Sequence, residues 1–450
     1  MKNYLTDQSP SKALVKFSIP MIIASFFQQI YTMVDSAVVG KFVGEKALAS
    51  IGASFALTTI FICIAIGGGV GASVVIARYF GKKDYPRMKL AIYTAIISFL
   101  ILSILLSLFG LKFSKEILLI LNTPEDVLDL ALIYLDIYFY GLPFLFMYNI
   151  ISSLFNSLGE SKIPLYFLIF SSTLNVFLDI YFVRDLGFGI KGAAYATLLA
   201  QGISAIFSLI IFLKLIENFK IKSIGIFSFK ELSKMAHLAI PSIMQQSTVT
   251  IGQVLVQSVV NSFGSEILAG FSAAMRIETL CIVPMNAIGN ATSAFTSQNL
   301  GAKKLERIKK GLRMSMIMVF TIALIICLYL RLNYQEIISI FLNKNASNLS
   351  IQTGQAYLKF IAFFFSFVGL KMAVDGVLRG IGDVKVFTSA NIVNLFIRVS
   401  LAEILAPKFG IAMVWYAVPL GWIANFIISF TYYKMVKRKD FDLIIWLKQF

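Results

Sequence analysis

Charge is scarce in this chain. Asp, Glu, Lys and Arg make up 14% of its 450 residues, against 58% hydrophobic residues. A water-soluble domain has no place to hide so much apolar side chain. Histidine occurs once, at His237, and cysteine three times, at Cys63, Cys281 and Cys327, each inside an apolar run. So few, so far apart, suggest neither a disulfide framework nor a Cys/His metal site. His237 falls at a helix end and reads as interfacial. There is no His-Glu-x-x-His, no Walker A lysine loop and no Gly-x-Ser-x-Gly, so nothing marks a metalloprotease, a nucleotide hydrolase or a serine hydrolase. An enzyme is not expected, nor any cofactor. Acids number 23 against 40 Lys and Arg, a net charge of +17. In a membrane chain that excess marks cytoplasmic loops rather than a nucleic-acid partner. No cleavage site follows the polar MKNYLTDQSPSKALVKFS, so a cleavable signal peptide is not expected.

What the chain does have is long apolar runs. Stretches of roughly 20 residues are candidate spanning helices. Twelve fit, near 14–40, 47–78, 90–110, 130–154, 163–183, 190–214, 236–263, 267–298, 312–332, 354–378, 386–406 and 410–433. The fold expected is an all-α polytopic membrane protein with twelve transmembrane helices. With the N-terminus inside, the tails and inner loops hold 27 of the 40 basic residues, led by GKKDYPRMK (81–89) and GAKKLERIKKGLR (301–313). The acidic NTPEDVLD (122–129) then falls outside. This positive-inside pattern puts both termini in the cytoplasm.

The sequence also repeats itself. FNSLGESK (155–162) matches LRGIGDVK (378–385), FGIKGAAYA (188–196) matches FGIAMVWYA (409–417), and IPMIIASFFQQ (19–29) echoes IPSIMQQ (240–246). The offset is about half the chain. Six helices per half is an even number, so the halves enter the membrane in the same direction, as parallel repeats. The expected organisation is an amino-terminal six-helix lobe (1–214), a cytoplasmic linker (215–235) and a carboxyl-terminal six-helix lobe with a short tail (236–450). Two such lobes are a physical template for alternating access. The glycines Gly67, Gly68, Gly69 and Gly71 permit close helix packing or bending, and packing is the simpler reading.

Against this apolar background, acids within spans are functional candidates by default. They are Asp35, Asp136, Asp179, Glu278, Asp375 and Glu403. Asp375 has Arg379 four residues on, so a structural ion pair competes with function there. Arg276 is two residues from Glu278 and does not share its face. Glu403 sits near a helix end. Asp35 and Asp179 have no basic residue within a turn on their own helices. Asn175 lies four residues before Asp179 and shares its face. Tyr31 and Gln28 lie on the face of Asp35. If helices 1 and 5 face each other, two carboxylates and an amide enclose one polar volume. Such a pair can share a proton, or its oxygens can coordinate Na⁺. The alternative is that these groups only tie helices together.

Several stretches, in order and in both halves, carry a resemblance. They are IPMIIASFFQQIYTMVDSAVVGKFVGEKALASIGAS, IGGGVGASVVIARYFGKKD, LNVFLDIYF, GIKGAAYATLLAQ, TSQNLGAKK and LRGIGD. From about Pro20 to Tyr433 the chain resembles the multidrug and toxic compound extrusion (MATE) family. The resemblance implies a secondary antiporter whose two six-helix lobes form a V, exporting cationic or amphiphilic compounds in exchange for H⁺ or Na⁺. It implies a cation-coupling site of Asp35, Asn175, Asp179 and Thr197, joined by Tyr134, with no other metal. Gln28, Tyr31, Asp136, Gln253 and Glu278 are candidates to line a substrate cavity, where Phe, Tyr and Met offer adaptable apolar and cation–π contacts. The carboxyl lobe departs from the family pattern. Its helix 7 has no acid, only Gln253 and Gln257, and Asp375 lies close to the LRG turn. A site in the amino lobe alone leans toward H⁺, although its four oxygen donors also suit Na⁺. The expected partners are small organic cations and the lipid bilayer, with the protein a monomer. Two rivals remain: a lipid-linked oligosaccharide flippase, which needs mid-membrane Arg or Lys that the amino lobe lacks, and a non-transporting membrane sensor.

Overall fold

The computed structural model describes residues 3–438, apart from 122, 222 and 343–345. The expected tail beyond residue 438 lies outside the described residues. After a one-turn helix, Tyr4–Asp7, the described residues form twelve long helices. In the first half these are α1 (Pro10–Phe42), α2 (Glu45–Lys82), α3 (Tyr85–Ile120), α4 (Glu125–Ser157), α5 (Lys162–Asp179) and α6 (Gly189–Glu217). In the second half α7 is Phe229–Asn261, α8 Ser265–Gly301 and α9 Leu305–Phe341. There α10 is Asn348–Ile361 continued through a 3₁₀ turn, Ala362–Phe364, into Phe365–Ile381; α11 is Val384–Phe409 and α12 Ala412–Arg438.

Eleven of these helices are long and apolar enough to cross a membrane. The exception is α7, where Gln245, Gln246, Gln253 and Gln257 dilute the apolar residues. The helices overrun the apolar stretches of the sequence. The basic run at 301–313, expected as a loop, is mostly the first turns of α9, and the loop at 81–89 shrinks to Lys83 and Asp84. Asp84 caps α3 by accepting from the Arg87 backbone N–H, one of the four donors a helix start leaves open.

The repeat is visible in the backbone. Left-handed residues recur at Gly44 and Gly264, Lys83 and Lys303, and Gly159 and Gly382, separated by 220, 220 and 223 residues. Each ends or joins helices at the same place in its half. Packing repeats as well. In the first half α4 packs on α2, α3 and α6, and α5 packs on α6; in the second α10 packs on α8, α9 and α12, and α11 packs on α12.

Two compact units result, Ile23–Ile243 and Met1–Ile22 with Met244–Phe450. The division thus falls inside α1 and α7, whereas the sequence reading placed it in the linker 215–235. Polar contacts explain the difference. At the end of α2 the Tyr79 hydroxyl donates to Glu231 Oε2 at 2.8 Å, and Lys234 Nζ donates to Tyr79 at 2.8 Å. Glu231 and Lys234 belong to the start of α7, which is thereby held in the first unit. At the end of α8 Asn299 Nδ2 donates to the Leu5 carbonyl at 3.1 Å, and Arg307 Nη2 donates to the same oxygen at 3.0 Å. The N-terminal turn is thereby held in the second unit.

Between helices in lipid, association depends on van der Waals fit rather than on hydrophobic transfer. The glycines of α2 serve that fit. A Cβ on Gly67 would lie 2.6 Å from the Ile243 backbone nitrogen, and one on Gly71 2.6 Å from that of Ala239. Gly71→Val therefore destabilises the first unit by about 1–3 kcal/mol, read as a lowered unfolding temperature in detergent. An unchanged temperature would mean that α2 and α7 separate at that point without cost.

Candidate functional site

The first unit gathers polar groups from four helices. Asp35 sits on α1 one turn beyond Tyr31, on the same face. Asn175 and Asp179 are one turn apart on α5, and both are buried, with 1% and 0% of their surface exposed. Thr197 projects from α6 and Tyr134 from α4. Asp179 is the last residue of regular helix. The chain then widens into a π-helical turn, Ile180–Asp185, a feature concentrated at functional positions. The matching part of α11 stays α-helical through Phe409. The extra two residues of FVRDLGFG relative to LAPKFG are taken up at and just after this turn.

The polar contacts have a direction. With the Asn175 amide in the orientation that satisfies both its ends, its nitrogen donates to Asp179 Oδ2 at 2.7 Å and to the Tyr31 hydroxyl at 3.2 Å. Its oxygen accepts from Thr197 Oγ1 at 3.2 Å and from the Thr197 backbone N–H at 3.0 Å. The Asp35 and Asp179 carboxyls lie close enough to interact with each other. The Oδ1 of each is buried without a donor. A proton shared between them, or a bound cation, satisfies both oxygens.

Apolar packing bounds this group. One turn beyond Asp35 and Asp179, Val39 and Val183 join Ala47, Ile190 and Ala193 in a buried cluster against which Tyr134 packs. Between α4 and α6 lies a cavity of about 20 Å³ lined by Tyr134, Tyr138, Gly141, Leu145, Thr197 and Gln201 among others. It has room for one water, since about 10–15 Å³ suffices. Tyr134 and Thr197 thus belong to both the carboxylate group and the cavity.

A profile of the MatE family matches residues 20–181 and again residues 241–404, once in each half. The chain belongs to the MatE family. Its relatives include a probable multidrug resistance protein, YpnP, of Bacillus subtilis (strain 168), 29% identical over 98% of this chain and 99% of that one. An FAD transporter of Shewanella oneidensis is 25% identical over 73% and 74% of the two chains. Among solved structures, an outward-facing multidrug resistance MATE family transporter of the MOP superfamily superposes with a TM-score of 0.90 at 25% identity, covering 97% of this chain and 98% of that one. This MATE chain is therefore a membrane transporter with the all-α, two-lobe fold of its family.

The other candidate residues are placed differently. Gln28 is exposed on α1. Asp136 points away from the pair and accepts from Ser114 Oγ of α3 at 3.2 Å. Gln253 and Glu278 belong to the other unit; Gln253 is half-buried, and Glu278 is buried and accepts from the Tyr357 hydroxyl. Asp375 pairs with Lys371 at 3.1 Å rather than with Arg379, whose Nη2 turns to Asn290 Oδ1 at 3.1 Å. Both neighbours are one turn from Asp375, so spacing alone left the choice open. Sequence reasoning missed Tyr138, Gln201 and Tyr357. The half-chain offset was the available signal for Tyr357, which matches Tyr134.

Two substitutions separate the roles within the group. Asn175→Ala strips Asp179 Oδ2 of its donor and costs about 1–3 kcal/mol, measurable as a lowered unfolding temperature. Asp179→Asn is isosteric and removes one of two facing buried acids, so it leaves that temperature at or above the wild-type value. A clear fall for Asp179→Asn would mean that the charge at Asp179 is already compensated by another group.

Proposed function

We propose that this MATE transporter is a secondary antiporter of the bacterial plasma membrane, with both termini cytoplasmic, acting as a monomer. It exports cationic or amphiphilic small molecules in exchange for H⁺. The observation that carries this reading is the facing pair Asp35 and Asp179, each with a buried oxygen that lacks a donor.

In the deprotonated state the pair is a centre of negative charge inside an apolar lobe and favours an organic cation nearby. A proton taken up between the carboxyls cancels that attraction. The ion drives transport only through its different affinity for the two conformations. H⁺ is favoured over Na⁺ by the hydrogen bonds around the pair. Asn175 turns its amino group, not its oxygen, toward Asp179, and Thr197 is occupied by Asn175. A hard cation asks for several oxygens at once, whereas a proton needs only the two. Tyr31, Asn175 and Thr197 then act as positioning residues that hold Asp179 against Asp35. An anionic cargo such as the FAD named for the Shewanella relative fits a site with two carboxylates less well.

The test is efflux of ethidium from proteoliposomes under an imposed pH gradient or Na⁺ gradient, with Asp179→Asn alongside. Efflux is expected to follow the pH gradient. Asp179→Asn is expected to slow it roughly tenfold or more, the factor set by losing about 1.4 kcal/mol of differential ion affinity. Drive by Na⁺ alone would replace the ion in this reading. An Asp179→Asn variant as fast as wild type would remove the pair from the mechanism, and no efflux under either gradient would favour the flippase or sensor rival.

A further inference from the structure

The second lobe contains a counterpart of the carboxylate site with its charges rearranged. At the offset that relates Gly159 to Gly382, 223 residues, Tyr134 corresponds to Tyr357, Asn175 to Arg398 and Asp179 to Ala402. At the offset of FGIKGAAYA to FGIAMVWYA, 221 residues, Thr197 corresponds to Val418. Ala402 and Val418 are both fully buried. The scaffold is kept, the acid and hydroxyl are replaced by apolar side chains, and the amide is replaced by a guanidinium.

An acid does reach this place, but from another helix. Glu278 of α8 is 3% exposed and accepts from the Tyr357 hydroxyl. Arg398 is 8% exposed, and its Nε and Nη2 find no hydrogen-bond acceptor. It lies within electrostatic reach of both Glu278 and Tyr357, at longer range than a direct ion pair. The Arg398 Cδ is 3.9 Å from where a Cβ on Gly252 of α7 would sit, so the arginine stem is held against α7. The titratable groups around Glu278 are Tyr357 of α10, Cys281 of α8 and Arg398 of α11. This part of α7 carries no charged residue, only uncharged polar ones such as Gln253 and Gln257, and α12 contributes Trp415, whose ring meets Tyr357 edge-on. Among these groups Arg398 is therefore the one cation within electrostatic reach of Glu278. A buried, desolvated guanidinium persists beside a carboxylate because each offsets the other's cost of leaving water.

We propose that Arg398 is a tethered counter-cation for Glu278, which closes the second lobe's copy of the carboxylate site to a mobile ion. The coupling ion is thereby confined to the first lobe. This inference rests on the reading of Asp35 and Asp179 as the coupling pair. Its consequence is a specific one: removing the arginine charge turns the second lobe into an ion site.

The experiment counts ions bound to the purified full-length protein in detergent, as proton uptake on acidification and as radioactive Na⁺ bound at equilibrium. Arg398→Gln is expected to bind one monovalent cation more per chain than wild type. Adding Glu278→Gln returns the count to wild type, and Arg398→Lys, which keeps the charge, never departs from it. Asp179→Asn binds one fewer than wild type. An unchanged count in Arg398→Gln, with a reduced count in Asp179→Asn, would overturn the role given to Arg398 and leave the first-lobe site standing. An unchanged count in Asp179→Asn would instead remove the coupling reading beneath it. If Arg398→Gln alone does not fold, recovery of a folded, monodisperse protein on adding Glu278→Gln supports the charge pairing. Failure to recover overturns it.

Discussion

A carboxylate placed in a bilayer costs roughly 2.5–3.5 kcal/mol on insertion scales, and the first unit is organised around two of them. Asp179 is tolerated because Asn175 gives its Oδ2 a donor at 2.7 Å. Asn175 is held in turn by two hydrogen bonds from Thr197 on the next helix. This chain of positioning groups explains features that look unrelated in sequence. The amide one turn before the acid, the threonine on α6 and the tyrosine on α1 all exist to fix one side chain. The far oxygens, Asp35 Oδ1 and Asp179 Oδ1, are left over. In a soluble protein water would take them. Beneath the buried cluster of Val39 and Val183, what satisfies them is what the site can hold.

The two halves separate scaffold from chemistry. Left-handed residues, helix order and packing partners recur at the same offsets, because turns and close packing are set by backbone sterics that both halves share. The interior residues are not bound in this way. Where the first half puts an acid, an amide and a hydroxyl, the second puts alanine, arginine and valine on the same frame. The fold alone therefore says nothing about how many ions the protein carries; the side chains at the repeated positions decide it.

Much of the first-lobe site was legible in the sequence because it is periodic. Asn175 and Asp179 share a face at i,i+4, and an acid without a basic neighbour stands out in an apolar span. Thr197 and Tyr134 were legible only through resemblance to the family, since nothing in their spacing points at Asp179. Other features were hidden for physical reasons. The π turn after Asp179 adds no residue type that marks it, since a wider backbone ring leaves no side-chain signature in IYFVRD. The division of units inside α1 and α7 depends on Tyr79 meeting Glu231 and on Asn299 meeting Leu5, contacts across more than a hundred residues. Lys371 and Arg379 were equally good partners for Asp375 by spacing, and only the presence of Asn290 beside Arg379 separates them.

The orientation of one amide also bears on ion choice. For Na⁺ to gain the Asn175 oxygen, the amide must rotate. Rotation removes the donor to Asp179 Oδ2 and strands the Thr197 backbone N–H that the amide oxygen accepts at 3.0 Å, while the Thr197 hydroxyl, which accepts as well as donates, keeps its contact at 3.2 Å. Each polar group stranded this way costs about 1–3 kcal/mol when buried. A bound Na⁺ would return the Asp179 contact but not that of the Thr197 backbone N–H, which would then face an NH₂ group. A proton between Asp35 and Asp179 leaves the whole arrangement in place. The preference for H⁺ in the proposed reading thus comes less from the acids themselves than from the α6 contacts that fix the amide. That threonine has become Val418 in the second half, where the amide is an arginine and there is nothing left for it to orient.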